Sequence, residues 1–153
     1  MTDQDVAAPP GTYLTDEVRA FVGRAGRPSA PFRVDAWGAR RFAEATGDPN
    51  PRYGAGGPAE WAPPTLLGQN IPDLERPDPP LEVPHPTGLV GSLGWEFVRP
   101  LRVGETVVAQ MRVTSIVEKQ GRLGTMVFLD YETTFTDAGG DTVAVFRLTR
   151  IRY

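Results

Sequence analysis

Phe42-Ala-Glu-Ala-Thr-Gly-Asp-Pro-Asn-Pro-Arg-Tyr53 runs into the hop Gly54-Ala-Gly-Gly-Pro58 and, after three residues, Ala62-Pro-Pro-Thr-Leu-Leu67. The first part ends an amphipathic helix. Asp35 is its N-cap, Ala36, Ala39, Phe42 and Ala43 share one face through Thr46, and Gly47 fits the left-handed position past the C-terminus. Asp48-Pro-Asn50-Pro51 is turn chemistry. Pro63-Pro64 suits a second helix start, because proline costs nothing where the first N–H groups lack partners. That helix runs from Thr65 to about Asn70, with Leu66, Leu67 and Ile71 apolar, and is cut by Gly68 and Pro72. Asp48, Asn50 and Tyr53 thus arrive between two helices.

Downstream the hydrophobic period becomes two. Leu89–Val98 is extended and Arg99–Gly104 is a turn. Strands are predicted over 106–117, 125–136 and 142–152. Val107, Ala109, Met111 and Val113 face one way in the first, and Val127, Leu129, Tyr131 and Phe135 in the second. Asp130, Glu132 and Thr134 should face water. Ala138-Gly-Gly-Asp141 is a hairpin signal. Arg147 interrupts the last apolar series, predicting a bulge or a two-sided environment.

Upstream, Thr15 caps a helical pattern of Val18, Phe21 and Val22, and Phe32–Val34 is a short strand. Residues 1–12 read as a flexible arm and 13–153 as a single domain. Residues 72–87 hold six prolines and form a stiff, irregular loop that is functional or partner-facing. Helices followed by a long antiparallel meander give an α+β class.

Composition narrows function by exclusion. The chain has 153 residues, 40% hydrophobic content and a net charge of −3, ordinary for one soluble domain. Lys119 is the sole lysine, and the arginines are scattered rather than clustered, so no nucleic-acid footprint is present. The absence of cysteine rules out disulfides and thiolate zinc sites. No apolar run is long enough to span a membrane, and Met1–Asp5 is not a secretory signal, so a cytoplasmic location is expected.

Gly47-Asp48-Pro-Asn50-Pro51, following an alanine-rich helix, resembles the Gly-Asp-x-Asn-Pro-x-His motif of the MaoC-like hot-dog hydratases. Ala62-Pro63-Pro64-Thr65 is similar to the central-helix start in one subgroup. Arg99-Pro100-Leu-Arg-Val-Gly104-Glu-Thr and Val117-Glu-Lys-Gln-Gly121-Arg-Leu-Gly124 resemble its strand connections. Over residues 13–153 the pattern resembles the amino-terminal-type MaoC domains, related to the dehydratase region of fatty acid synthase. The resemblance implies a hot-dog fold, with a central helix wrapped by an antiparallel sheet. It also implies hydration of trans-2-enoyl thioesters, or dehydration of (R)-3-hydroxyacyl thioesters, carried on coenzyme A or acyl carrier protein. Neither a metal nor another cofactor is implied. In the family the motif's Asp and His manage the water and the α-proton, and N–H groups at the central helix start hold the thioester oxygen.

One departure matters. Asp48, Asn50 and Pro51 match, but Arg52 fills the variable position and Tyr53 stands where the histidine belongs. The sole histidine, His85, lies in the proline-rich loop. A phenol, with a reference pKa near 10, is a poor general base at pH 7. Asp48 and Tyr53 are the candidate catalytic residues, Asp48 alternatively being a turn residue and Tyr53 a packed one. Asn50, Pro64, Thr65 and Leu66 are the candidate substrate-binding residues. Trp61, Trp95 and Phe97 read as core or interface. Three functions stay open. The chain is a subunit whose hot-dog partner carries the complete Asp/His motif, a self-sufficient homodimeric hydratase using Asp48, or a non-enzymatic acyl-binding or assembly module. The lack of a carboxylate over 64–72 counts against a hot-dog thioesterase.

Overall fold

The computed structural model describes residues 12–54, 58–84, 88–122 and 124–153. Residues 1–11 of the expected arm at 1–12, and His85, lie outside them. The order is α1 (Asp16–Arg19), β1 (Phe32–Arg33), α2 (Ala36–Thr46), a 3₁₀ turn (Pro51–Tyr53), β2 (Trp61–Ala62), a 3₁₀ helix (Pro64–Asp73), β3 (Leu89–Phe97), β4 (Leu101–Arg102), β5 (Thr106–Gly121), β6 (Gly124–Asp137) and β7 (Thr142–Arg152).

Five strands form one sheet in the order β1-β5-β6-β7-β3, with every pairing antiparallel. Side-chain alternation explains its inner face. Val107, Ala109, Met111 and Val113 of β5 are buried together with Val127, Leu129, Tyr131 and Phe135 of β6. Thr133 joins them, its hydroxyl without a hydrogen-bond partner among the described residues. Leu66, Leu67 and Leu74 belong to the same core cluster, so the 3₁₀ helix and the segment after it pack on this face. Burying a Leu or Phe side chain fully is worth roughly 1.5–3 kcal/mol, so this face dominates the stability of the fold.

The outer face carries a row of alternating charge. Arg112 of β5 reaches Glu132 of β6 at 2.6 Å, Glu132 accepts from Arg147 of β7 at 3.2 Å, and Arg147 reaches Glu96 of β3 at 2.9 Å. Arg147 therefore sits in the predicted two-sided strand without a bulge of its own. The register shifts fall elsewhere, at Val90/Ser92, Val113/Ser115 and Phe135/Thr136. Glu132 and its neighbours Asp130 and Thr134 are half-buried beneath these partners rather than freely solvated.

Three expectations are corrected. The central helix begins at Pro64 as predicted, but it is 3₁₀ throughout and passes Gly68 to reach Asp73. Both ends show the three-residue pattern of that winding, the Leu66 N–H donating to the Pro63 carbonyl at 3.0 Å and the Leu74 N–H to the Ile71 carbonyl at 3.1 Å. The Arg99–Gly104 turn contains β4, which pairs with β2 in a second, two-stranded sheet. Finally, α1 is a single turn capped by Thr15, with Val18 buried but Val22 48% exposed.

Candidate active-site cavity

Helix α2 places the motif. Asp35 Oδ1 accepts from the Gly38 N–H at 2.8 Å and fixes its start. Gly47 takes φ 67° at its end, donating to the Glu44 carbonyl at 3.2 Å, while the Asp48 N–H reaches the Ala43 carbonyl at 2.8 Å. This is a Schellman termination, which requires the positive φ that only glycine adopts freely. Asp48 Oδ1 then accepts from the Asn50 N–H at 3.0 Å, and Asn50 Oδ1 from the Arg52 N–H at 3.1 Å. Both side chains are thus used as successive turn caps, the ordinary work of Asp and Asn in such segments. Gly54, at φ 96°, ends the turn.

The turn delivers Asn50, Arg52 and Tyr53 to the wall of a cavity of about 360 Å³. Trp61 and Ala62 of β2 and Pro64 form a second wall, and Phe97 to Pro100 close the third. Arg102 of β4 stacks on Trp61, its guanidinium 4.4 Å from the ring centroid. Trp95 lies behind Phe97, with ring centroids 5.3 Å apart and nearly parallel. The Tyr53 hydroxyl has no hydrogen-bond partner among the described residues.

The cavity's third wall is pinned by charge. Arg99 Nη1 donates to both Glu105 oxygens at 2.9 Å, and its Nη2 donates to Asp137 Oδ2 at 2.8 Å. The bond from Arg99 and the N–H groups of Asp141 and Gly139 hold the Asp137 carboxyl below the usual carboxylate range.

Of the candidate site residues, the fold brings together Asn50, Tyr53 and Pro64. Asp48 lies outside the lining, Thr65 is exposed beside it, and Leu66 points into the core. The helix start is sparing in donors. Pro63 and Pro64 have no N–H, the Leu66 N–H goes to the Pro63 carbonyl at 3.0 Å, and Thr65 alone in the opening turn keeps an uncommitted N–H among the described residues. Sequence reasoning missed Arg52, Arg99 and Val98 as lining residues and placed Trp61 and Phe97 in the core or an interface. Their convergence depends on the β2–β4 pairing, for which two-residue strands leave no periodic signal. Among the described residues no cluster of His, Asp and Glu could hold a metal, and no helix is long and apolar enough to cross a membrane.

Residues 20–146 match the FAS1-like dehydratase domain region. A UPF0336 protein of Parafrankia sp. is 36% identical over 134 residues, spanning 81% of this chain and 86% of that protein. Among solved structures, the ChsH1-ChsH2 complex of Mycobacterium tuberculosis gives a TM-score of 0.64 at 20% identity, covering 90% of this chain and 94% of the other. A C-terminally truncated HadBC (3R-hydroxyacyl-ACP dehydratase) complex of the same organism gives 0.61 at 18%, covering 86% and 97%. With this curled antiparallel sheet and the Gly47–Pro51 motif in place, the chain belongs to the FAS1-like dehydratase-region family, on the hot-dog fold of the MaoC-like dehydratases.

Proposed function

We propose that the chain is the non-catalytic subunit of a heteromeric hot-dog hydratase or dehydratase acting on enoyl or (R)-3-hydroxyacyl thioesters. Tyr53 carries this reading. It occupies the motif's histidine position on the cavity wall, whereas the one candidate acid, Asp48, spends an oxygen on a turn and stays outside the lining. A phenol is a far weaker proton acceptor than an imidazole. The acid–base pair therefore comes from a partner with the complete motif, and this chain supplies walls for the acyl group. Thr65 offers its free N–H to the thioester oxygen, as a helix start can. The carrier is coenzyme A or acyl carrier protein, and the chemistry needs no metal.

Edge strand β3 supports a partner of this kind. Among the described residues it pairs only with β7, leaving its other edge open; Val90 and Leu93 within it are 61% and 64% exposed, and Val98 just past its end is 58% exposed. A long apolar edge is an association site unless it is covered. Two of the structurally similar proteins are themselves complexes, HadBC and ChsH1-ChsH2. The test is enoyl-CoA hydration by the purified chain, alone and with a hot-dog subunit bearing the full motif. Activity in the pair alone supports the reading. Robust turnover by the isolated chain, lost in both Asp48→Asn and Tyr53→Phe, would replace it with the self-sufficient enzyme.

A further inference from the structure

We infer that the cavity takes a ligand in which an anionic group is attached to an apolar chain, and that Arg52 is the residue that recognises the charge. This rests on the acyl-thioester reading and adds to it the charge of what is bound.

Two guanidinium groups line the cavity, and they differ in what they have left to offer. Arg99 is committed to Glu105 and Asp137 through three hydrogen bonds. Arg52 has no side-chain partner among the described residues, and no ion pair reaches it. Its backbone is nonetheless fixed, the N–H by Asn50 Oδ1 and the carbonyl by the Glu60 N–H at 3.2 Å. The guanidinium thus projects from an anchored point. Among the described residues no carboxylate lines the cavity, so none of them neutralises Arg52 within it. Arg102, stacked on Trp61, adds positive charge behind the next wall.

Beside the polar Asn50 and Tyr53, most of the remaining lining is apolar, with Trp61, Phe97 and Val98 facing the same space. A neutral acyl chain would make no use of the cation, and a cationic one would meet like charge. An anion joined to an apolar chain uses both walls. A guanidinium pairs with a carboxylate or a phosphate through two parallel N–H donors, and the two groups are chemically equivalent for this purpose. The anion is therefore a carboxylate on the acyl chain itself or a phosphate of the carrier.

Calorimetric titration of the full chain with octanoate, octanoyl-CoA and the neutral octanoyl-pantetheine separates these sources. Arg52→Gln should weaken the anionic probe about two- to fivefold, the upper scale of a solvent-accessible ion pair. Arg52→Lys should restore most of the loss, and octanoyl-pantetheine should be indifferent to both changes. Sensitivity of octanoate identifies a carboxylate, and sensitivity of octanoyl-CoA alone identifies the carrier phosphate. Equal losses for octanoyl-pantetheine, unchanged affinity for both anions, or no binding of either anion by the unaltered chain would each overturn the inference. Hydration by the reconstituted pair without charge dependence removes the inference and leaves the proposed function standing. Charge-dependent binding without hydration does the reverse.

Discussion

The Tyr131 hydroxyl, at the buried centre of β6, donates to Asp78 Oδ1 in the proline-rich segment, 53 residues away in sequence. Arg76 Nε donates to both Asp78 oxygens at 2.8 and 2.9 Å, and Arg150 of β7 approaches at 3.6 Å. One carboxylate thereby ties the segment that follows the 3₁₀ helix to two strands of the main sheet.

Tyr131→Phe is expected to lower the unfolding free energy by about 1 kcal/mol, less than the roughly 1.5–3 kcal/mol of a hydrogen bond to a charged group, because the Asp78 side chain remains 35% exposed. Thermal melts of the pure variant check this. The pH dependence follows from the two groups' opposite shifts. Burial, and then the bond to Asp78, raise the Tyr131 pKa above its ordinary 10.0, so its contribution is complete below that pH and is lost as pH rises through the folded value. Burial pushes Asp78 up, but the bonds from Arg76 and Tyr131 and the charges of Arg76 and Arg150 outweigh it and hold it below 3.8. Its contribution is complete above that pH and is lost as pH falls through the folded value. The gap between wild type and variant should be flat from about pH 5 to 9 and narrow beyond both ends.

Leu93 tests the open edge. At 64% exposure its replacement by aspartate should change the stability of the isolated chain by no more than about 0.5 kcal/mol. It should nonetheless reduce assembly, because a carboxylate in the core of an interface is buried without a partner. Light scattering should show the unaltered chain associated with itself or with a hot-dog partner, burying on the order of 2,000 Å², and Leu93→Asp shifted towards monomer. A stable monomer at high concentration with no copurifying partner would count against the assembly.

Asp48→Asn separates the catalytic role from the turn. Asparagine also accepts from the Asn50 N–H, so the turn survives the change. Turnover of the reconstituted pair should stay within about twofold of the unaltered pair. A loss of tenfold or more would instead identify Asp48 as an acid of the reaction.

Gly47→Ala addresses the placement of the whole motif. At φ 67° a side chain is disfavoured, and a loss of about 1 kcal/mol is expected on unfolding. Open space around the Gly47 Cβ position makes this a conformational effect rather than a clash. Denaturant midpoints at constant slope check it.

The main strands and α2 were legible because their signals are periodic or local. Val127, Leu129, Tyr131 and Phe135 announce a strand by alternation, and Asp35 and Gly47 announce the helix ends by their own hydrogen bonds and backbone angle. The cavity was legible only in part. Asn50, Tyr53 and Pro64 stood out by motif, but Arg52 read as a variable position because its partnerless state is a property of the folded surroundings. The Tyr131–Asp78 contact was equally silent, since a long-range pair between a strand and an irregular segment has no spacing rule.

The 3₁₀ winding of Pro64–Asp73 has a mechanical consequence. At about 2.0 Å rise per residue rather than 1.5 Å, its ten residues reach roughly a third further than an α-helix of equal length. That reach comes with poorer hydrogen-bond geometry, so the segment behaves less like a rod and more like a taut cord. Its path is set by where Leu66 and Leu67 are seated in the core rather than by its own backbone. Amide exchange along it should therefore run faster than in β5 and β6, and should slow when an acyl ligand or a partner subunit takes up the slack.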